Sequence, residues 1–174
     1  MRFSKEEKKF WQRNYQIEYV DEISADWTFF KSVDSDVDDG FFYMFTLRVN
    51  TIVEVYLKDT LITDKSVAYF LNFKGLEDLN IRKNSSITKA CIPFINQMDH
   101  LESLNLDRTQ ITLTDLCEQL DNKNLKKVYI SSDEDEENIE EKAFVLKSKM
   151  PNCDVYLNCS HTTDVFGNKQ KPIF

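Results

Sequence analysis

The sequence predicts an α/β chain built on about five short parallel strands, stacked as successive rungs of one ladder. The first observation is an apolar pattern, Leu101-x-x-Leu104-x-Leu106, that recurs along the chain. Leu76, Leu79 and Ile81 repeat it upstream, and Ile52, Val55 and Leu57 repeat it again before those. Leu125, Val128 and Ile130 follow downstream, and then Asn152, Val155 and Leu157 after a slightly longer step. The period is about 24 residues, within the range of known solenoid repeats. The second observation is an apolar register that travels with the first: Ile62, Ile87 and Ile111 are each followed five positions later by Val67, Ile92 and Leu116. The third is composition. With 41% hydrophobic residues, only three Gly and three Pro, the 174 residues can fill one core and leave little for a flexible linker. A single unit of strand, turn and short helix cannot bury its apolar face alone, so the copies must stack.

On these residues the chain resembles the leucine-rich repeat family, whose unit reads L-x-x-L-x-L-x-x-N/C-x-L. The resemblance covers residues 52–159. The turns Thr60-Leu61-Ile62-Thr63 and Thr109-Gln110-Ile111-Thr112, and the closing Met150-Pro151-Asn152-Cys153, look like short, bacterial-type repeats. It implies a short solenoid with helices on the convex side, capped by an N-terminal helix plus β-strand region. One departure is that the Asn/Cys position holds Asn84 once, with Thr60 and Thr109 in the flanking units. A hydroxyl bonds neighbouring backbone less fully than an amide, so a shorter, less regular stack is expected.

Taken in order, Ser4 and Glu7 form a capping-box pattern that starts a helix running to about Arg13, anchored by Phe10 and Trp11. Residues 15–20 alternate and read as a strand. Residues 26–33, DWTFFKSV, are aromatic and β-branched and read as another. Residues 34–40 form an acidic turn. Residues 41–49, FFYMFTLRV, are apolar at nearly every position and read as a strand covered on both faces. Residues 1–50 together make a cap over the first rung, whose edge and core end are otherwise open. Its aromatic side chains, Trp11, Trp27, Phe29, Phe30, Phe41, Phe42, Tyr43 and Phe45, fit either a cap core or a partner-anchoring patch. Residues 51–159 are the repeats, and 160–174 a tail whose Pro172-Ile173-Phe174 end either tucks onto the last unit or hangs free.

Because side chains alternate along a strand, the residues between the paired apolar positions face outward. The middle column of that face runs Tyr56, Asn80, Asn105, Tyr129, Tyr156, flanked by Asp78, Arg82 and Asp107. Tyrosine and asparagine are adaptable contact residues, so this column is the candidate partner-binding face, with plain β-compatible surface as the alternative. Five strands about 4.8 Å apart, with about 10 Å of outward residues along each, give a face on the order of 200 Å2. A standard interface takes about 800 Å2 per partner. A tight partner therefore also touches the cap or loops. The second candidate is the acidic insertion Asp133, Glu134, Asp135 and Glu136 in the fourth unit.

Chemistry is sparse. Asp34-x-Asp36-x-Asp38 opens like a calcium loop, but Asp39 and Phe45 stand where Gly and Glu are required. His100 and His161 are the only histidines, and neither has a neighbour at metal-ligand spacing. No phosphate-binding glycine loop or nucleophile elbow is present. No catalytic, cofactor-binding or metal residue is assigned, and no enzyme activity is expected. The net charge of −8 disfavours nucleic acid and suits a basic protein partner. Four cysteines without a C-x-x-C fit free thiols in a reducing compartment. With no signal-peptide core and no membrane span, a cytoplasmic location is expected. The expected function is a non-catalytic protein–protein interaction module. A short, acidic chain of bacterial type is similar to immunity proteins that neutralise a cognate toxin; the alternative is a structural or assembly subunit of a larger complex.

Overall fold

The ladder starts one rung earlier than the repeat pattern indicates. The structure, a computed structural model, describes residues 2–132, 137–159, 161–164 and 166–173. Six strands form one sheet in sequence order: β1 (Asp26–Val33), β2 (Thr51–Lys58), β3 (Asp78–Asn80), β4 (Ser103–Asn105), β5 (Lys127–Ile130) and β6 (Asp154–Leu157). Every neighbouring pair is parallel, and the predicted register is met: Val55, Leu79, Leu104, Val128 and Val155 lie side by side in turn. The additional rung is β1, whose Phe30 pairs with Val55. Its pattern, Trp27-x-x-Phe30-x-Ser32, puts a polar residue in the third apolar position, which hides the match.

Between strands the chain crosses over through helices: α1 (Lys5–Tyr15) precedes the sheet, and α2 (Asp39–Thr46), α3 (Asp64–Tyr69), α4 (Ile92–Ile95), α5 (Leu113–Gln119) and α6 (Ile139–Lys149) follow β1 to β5 in order. Helices α2 to α6 each pack on the next. The described residues are thus α/β, with one all-parallel six-stranded sheet and six α-helices. None of these helices is long and apolar enough to cross a membrane.

Two segments differ from expectation. Residues 41–49 are not a strand: they fall largely in α2, because the Asp38 carboxylate caps the helix by accepting the Phe41 N–H at 2.9 Å. Phe42, Phe45 and Val49 then fall three and four positions apart on one buried face. Residues 15–20 are not a strand either. Tyr15 ends α1, Gln16 closes it in the left-handed conformation, and Val20–Glu22 is a 3-10 turn. In both places aromatic residues of high β-propensity are held in helix by a cap and by packing, which outweigh propensity.

Polar side chains stitch one unit to the next. The helix N-caps Asp38, Thr63, Thr88 and Thr112 recur with the period of the strands. The residue after the first cap, Asp39, accepts the Thr63 N–H at 2.9 Å and its hydroxyl at 2.7 Å, with the Ser66 hydroxyl at 2.6 Å. Asp64 holds Thr88 the same way, at 2.8 and 2.7 Å. At the third step Lys89 takes the aspartate's place and reaches Asp115 at 3.2 Å, and Asp115 in turn accepts from Thr112 of its own unit. Asn84 donates to the Leu57 and Ile81 carbonyls and accepts from the Thr60 N–H and hydroxyl. The exits of β1, β2, β3, β4 and β6 are each marked by a left-handed residue: Asp34, Asp59, Lys83, Arg108 and Asn158.

These bonds set the acid response. Burial pushes the Asp39 carboxyl up, but the Ser66 and Thr63 hydroxyls and the Thr63 amide more than offset it, so it titrates below the usual carboxylate value. Asp115, against burial, is held low by Thr112 and Lys89. Glu7, against burial, is held low by the Ser4 amide and the Arg48 guanidinium. A carboxylate depressed in the folded state contributes stability above its unfolded pKa and loses it as pH falls through the folded value. The expected result is a thermal midpoint that drops less between about pH 6 and about pH 3 in the double variant Glu7→Gln/Asp39→Asn than in the parent. Equal slopes would contradict it.

The core runs unbroken from the cap to β6. Its N-terminal end is closed by aromatic rings. Trp11, Phe42 and Phe45 are fully buried, and Trp11 stacks on Phe45 at 5.9 Å between ring centres. The cap aromatics are thus mainly core, with Phe29 and Tyr43 left exposed. Arg48 ties the same end together through its bonds to Glu7 at 2.5 and 2.6 Å.

Candidate recognition surface

The strand face opposite the helical layer carries three in-register columns. The middle one is Lys31, Tyr56, Asn80, Asn105, Tyr129 and Tyr156, each paired with the next across the sheet. Phe29, Glu54, Asp78, Ser103, Lys127 and Asp154 form the column two positions before it. Val33, Lys58, Arg82, Asp107, Ser131 and Asn158 stand two positions after the middle column. The predicted column is therefore real as an alignment, but its exposure differs from expectation along its length.

The C-terminal half of the middle column is buried, while Lys127 and Asn158 of the flanking columns stay exposed. Asn105 is 2% exposed, Asp107 5%, Tyr129 7% and Tyr156 6%. Tyr129 and Tyr156 stack on each other at 5.0 Å and 17°. Burial pushes the Tyr129 phenol up to about 12, with Tyr156 and Cys159 adding to it. Asp107 accepts the Ser131 hydroxyl at 2.6 Å. Beyond them the tail turns back: Thr163 pairs with Lys169, and the Ile173 N–H donates to the Val155 carbonyl at 2.8 Å, so the tail tucks onto the last unit at Ile173. Asn80 is also buried, and it shares a local role with Asn105. Their side-chain oxygens accept the N–H two positions on, from Arg82 at 3.4 Å and Asp107 at 3.1 Å. These asparagines fix their own strand exits, which an outward-facing reading does not anticipate. Asn105→Ala, a surface change on sequence grounds, is now expected to cost about 1–2 kcal/mol in urea denaturation, because the buried Asp107 N–H loses this acceptor. A cost under about 0.5 kcal/mol would mean the site is solvated.

The N-terminal half is accessible. Tyr56 is the centre of a preorganised cluster: the Lys31 ammonium lies 5.1 Å and the Arg82 guanidinium 5.8 Å from its ring centre. Arg82 also donates to the Tyr56 hydroxyl at 2.9 Å, while its Nε is buried with no hydrogen-bond partner among the described residues. Cations over an aromatic face are attracted by the ring's quadrupole, and the hydrogen bond to the Tyr56 hydroxyl holds Arg82 in addition. Phe29 is 59% exposed and Val33 37%. Asp78 sits at the edge of this half, its pKa raised by burial and by Glu54 against the pull of Ser103 and Lys127. Of the predicted contact residues, the fold brings Tyr56, Asp78 and Arg82 together here. Asn105, Asp107, Tyr129 and Tyr156 lie under cover, and the acidic insertion at 133–136 lies outside the described residues. Lys31 and Val33 escape the sequence reading because it assigns β1 to the cap, and Phe29 enters it only among the cap aromatics that fit either a core or a partner-anchoring patch. Aligning Trp27 with Ile52, one repeat period on, is the signal that finds them.

None of the four cysteines forms a disulfide, and Cys91 and Cys153 are buried among the core side chains. Burial pushes both thiols up, Cys153 to about 12, so neither is a ready nucleophile at neutral pH. Among the described residues no group of His, Cys, Asp and Glu is arranged to hold a metal ion. No protein-family model matches the sequence, and no curated protein matches it.

Proposed function

We propose that the chain is a non-catalytic protein-binding module of the leucine-rich repeat type, working through the accessible N-terminal half of its strand face. The observation that carries this reading is the Lys31–Tyr56–Arg82 cluster beside exposed Phe29 and Val33. Rigid aromatic and arginine anchors next to apolar surface are what interface hot spots use. The repeat assignment is supported by the in-register columns, and by N-caps and left-handed strand exits that recur in step with them. The narrower reading is a cytoplasmic immunity protein that neutralises a toxin, supported by the net charge of −8 and by four cysteines outside any disulfide.

The test is affinity capture from the source organism, using the parent and the variant Tyr56→Ala/Arg82→Ala. A hot-spot pair is expected to cost at least about 2 kcal/mol, or roughly thirtyfold in affinity. A partner held equally by both would remove this face from the reading. An assembly subunit is the second reading. It draws on Leu61 and Phe144, 60% and 75% exposed outside the strand face. A monodisperse monomer by light scattering would count against it.

A further inference from the structure

The accessible half of the strand face is too small by itself for a tight partner, since it is only part of a face that falls far short of a standard interface. It adjoins the sheet's first edge, and the two edges of the sheet are treated differently. At β6 the Ile173 N–H bonds the Val155 carbonyl, and the Ile173 side chain packs on the core. At β1, among the described residues, the backbone–backbone hydrogen bonds outside the strand ladder run to the β2 side, Asp34 to Lys58 and Asn50 and Thr51 to Ala25. The Ser24 hydroxyl donates to the Asp26 carbonyl at 2.8 Å and accepts the Asp26 N–H, so the first residue of the edge is engaged locally and the rest is open. Helix α1 closes the core end through Trp11 and Tyr15 but makes no backbone bond to the strand.

An open strand of this kind is ordinarily blunted by shortness, proline, a bulge, cover or charged side chains; of these β1 carries the charges Asp26 and Lys31. β1 has eight residues and no proline, and it keeps one register with β2 from Asp26 to Val33. Alongside it runs an open hollow of about 530 Å3, lined by Tyr15, Ser24, Trp27, Phe29, Phe30 and Lys31. Lys31 makes no ion pair within the described residues. From this geometry we infer that β1 is a strand-addition site for an extended segment of another protein. That segment is apolar, places a large side chain in the hollow and sets a carboxylate opposite Lys31.

Main-chain bonds supply affinity in such a site and alternate side chains supply specificity. A strand of this length offers about 26 Å of edge, continuous with Phe29, Lys31 and Tyr56 on the face. A second copy of this chain fits less well, because each copy carries a net charge of −8. The inference rests on the protein-binding reading above and adds the form of the partner's contacting segment.

The probe is a fluorescein-labelled peptide, SVFEVTS, titrated against the full chain by fluorescence polarisation, with amide exchange followed over residues 26–33. Saturable binding with protection of those amides is expected. N-methylation of alternate peptide amides should weaken it at least about tenfold, since several backbone bonds are lost together. Lys31→Glu should weaken it roughly threefold to tenfold, and exchanging the peptide's Glu for Lys should restore it. Lys31 is exposed, so the variant is expected to fold. Absence of saturable binding, equal binding of the N-methylated peptide, or binding without protection of residues 26–33 would each overturn the proposal. So would a dimer in sedimentation that Phe29→Asp dissolves, because the edge would then be filled by a second copy. If the peptide fails while Tyr56→Ala/Arg82→Ala still loses a captured partner, the edge proposal falls and the face reading stands.

Discussion

Trp11→Ala is expected to lower the unfolding free energy by about 3–5 kcal/mol, the range for deleting a large buried aromatic side chain. Trp11 is fully buried and packs on Phe10 at 5.3 Å, Tyr15 at 5.1 Å and Phe45 at 5.9 Å. Without it α1 loses its principal anchor, and the Phe45 ring, which also contacts Trp27 at 5.0 Å, loses a stacking partner. Trp11→Phe separates packing from polarity. The Trp11 Nε1 is buried with no hydrogen-bond partner among the described residues, so losing that N–H removes a penalty while most of the ring volume stays. A cost within about 1.5 kcal/mol is expected. Urea denaturation followed by circular dichroism reads both. If Trp11→Ala cost less than about 1 kcal/mol, α1 would not be closing the core.

Leu104→Ala is expected to cost about 2–5 kcal/mol in the same measurement. Leu104 is fully buried, between Leu79 on one neighbouring strand and Val128 on the other. It therefore supports two rungs at once, and the cavity left behind is bounded by strands that cannot close up without breaking register. Unfolding that splits into two transitions would show that the chain comes apart at the rung. A single transition at lower denaturant would show that the rungs unfold together. A change of less than about 0.5 kcal/mol would contradict the position given to Leu104.

The interior was more legible than the surface. Leu76, Leu79, Ile81, Leu101, Leu104 and Leu106 announce themselves by spacing, and all are buried in the predicted register. The second apolar register, Ile62, Ile87 and Ile111 with Val67, Ile92 and Leu116, is buried as well. Periodicity reads burial against a sheet because the geometry of a strand is fixed. It cannot read what lies over the other face. Nothing in the residues around Asn105 or Tyr129 signals that they are covered. The first rung was obscured by one side chain, Ser32, and α2 by its aromatic content, since Phe41, Phe42, Tyr43 and Phe45 favour a strand until the Asp38 cap is taken into account. The stitching aspartates, Asp39 and Asp64, keep the same spacing as the strands, but polar side chains carry no burial signal by themselves.

The most direct test of the continuous ladder is the set of interstrand nuclear Overhauser effects in uniformly 13C,15N-labelled protein. Backbone contacts are expected along Phe30, Val55, Leu79, Leu104, Val128 and Val155 in that order, all in parallel register. Contacts that join β1 to any strand other than β2, or that pair any two rungs antiparallel, would contradict it.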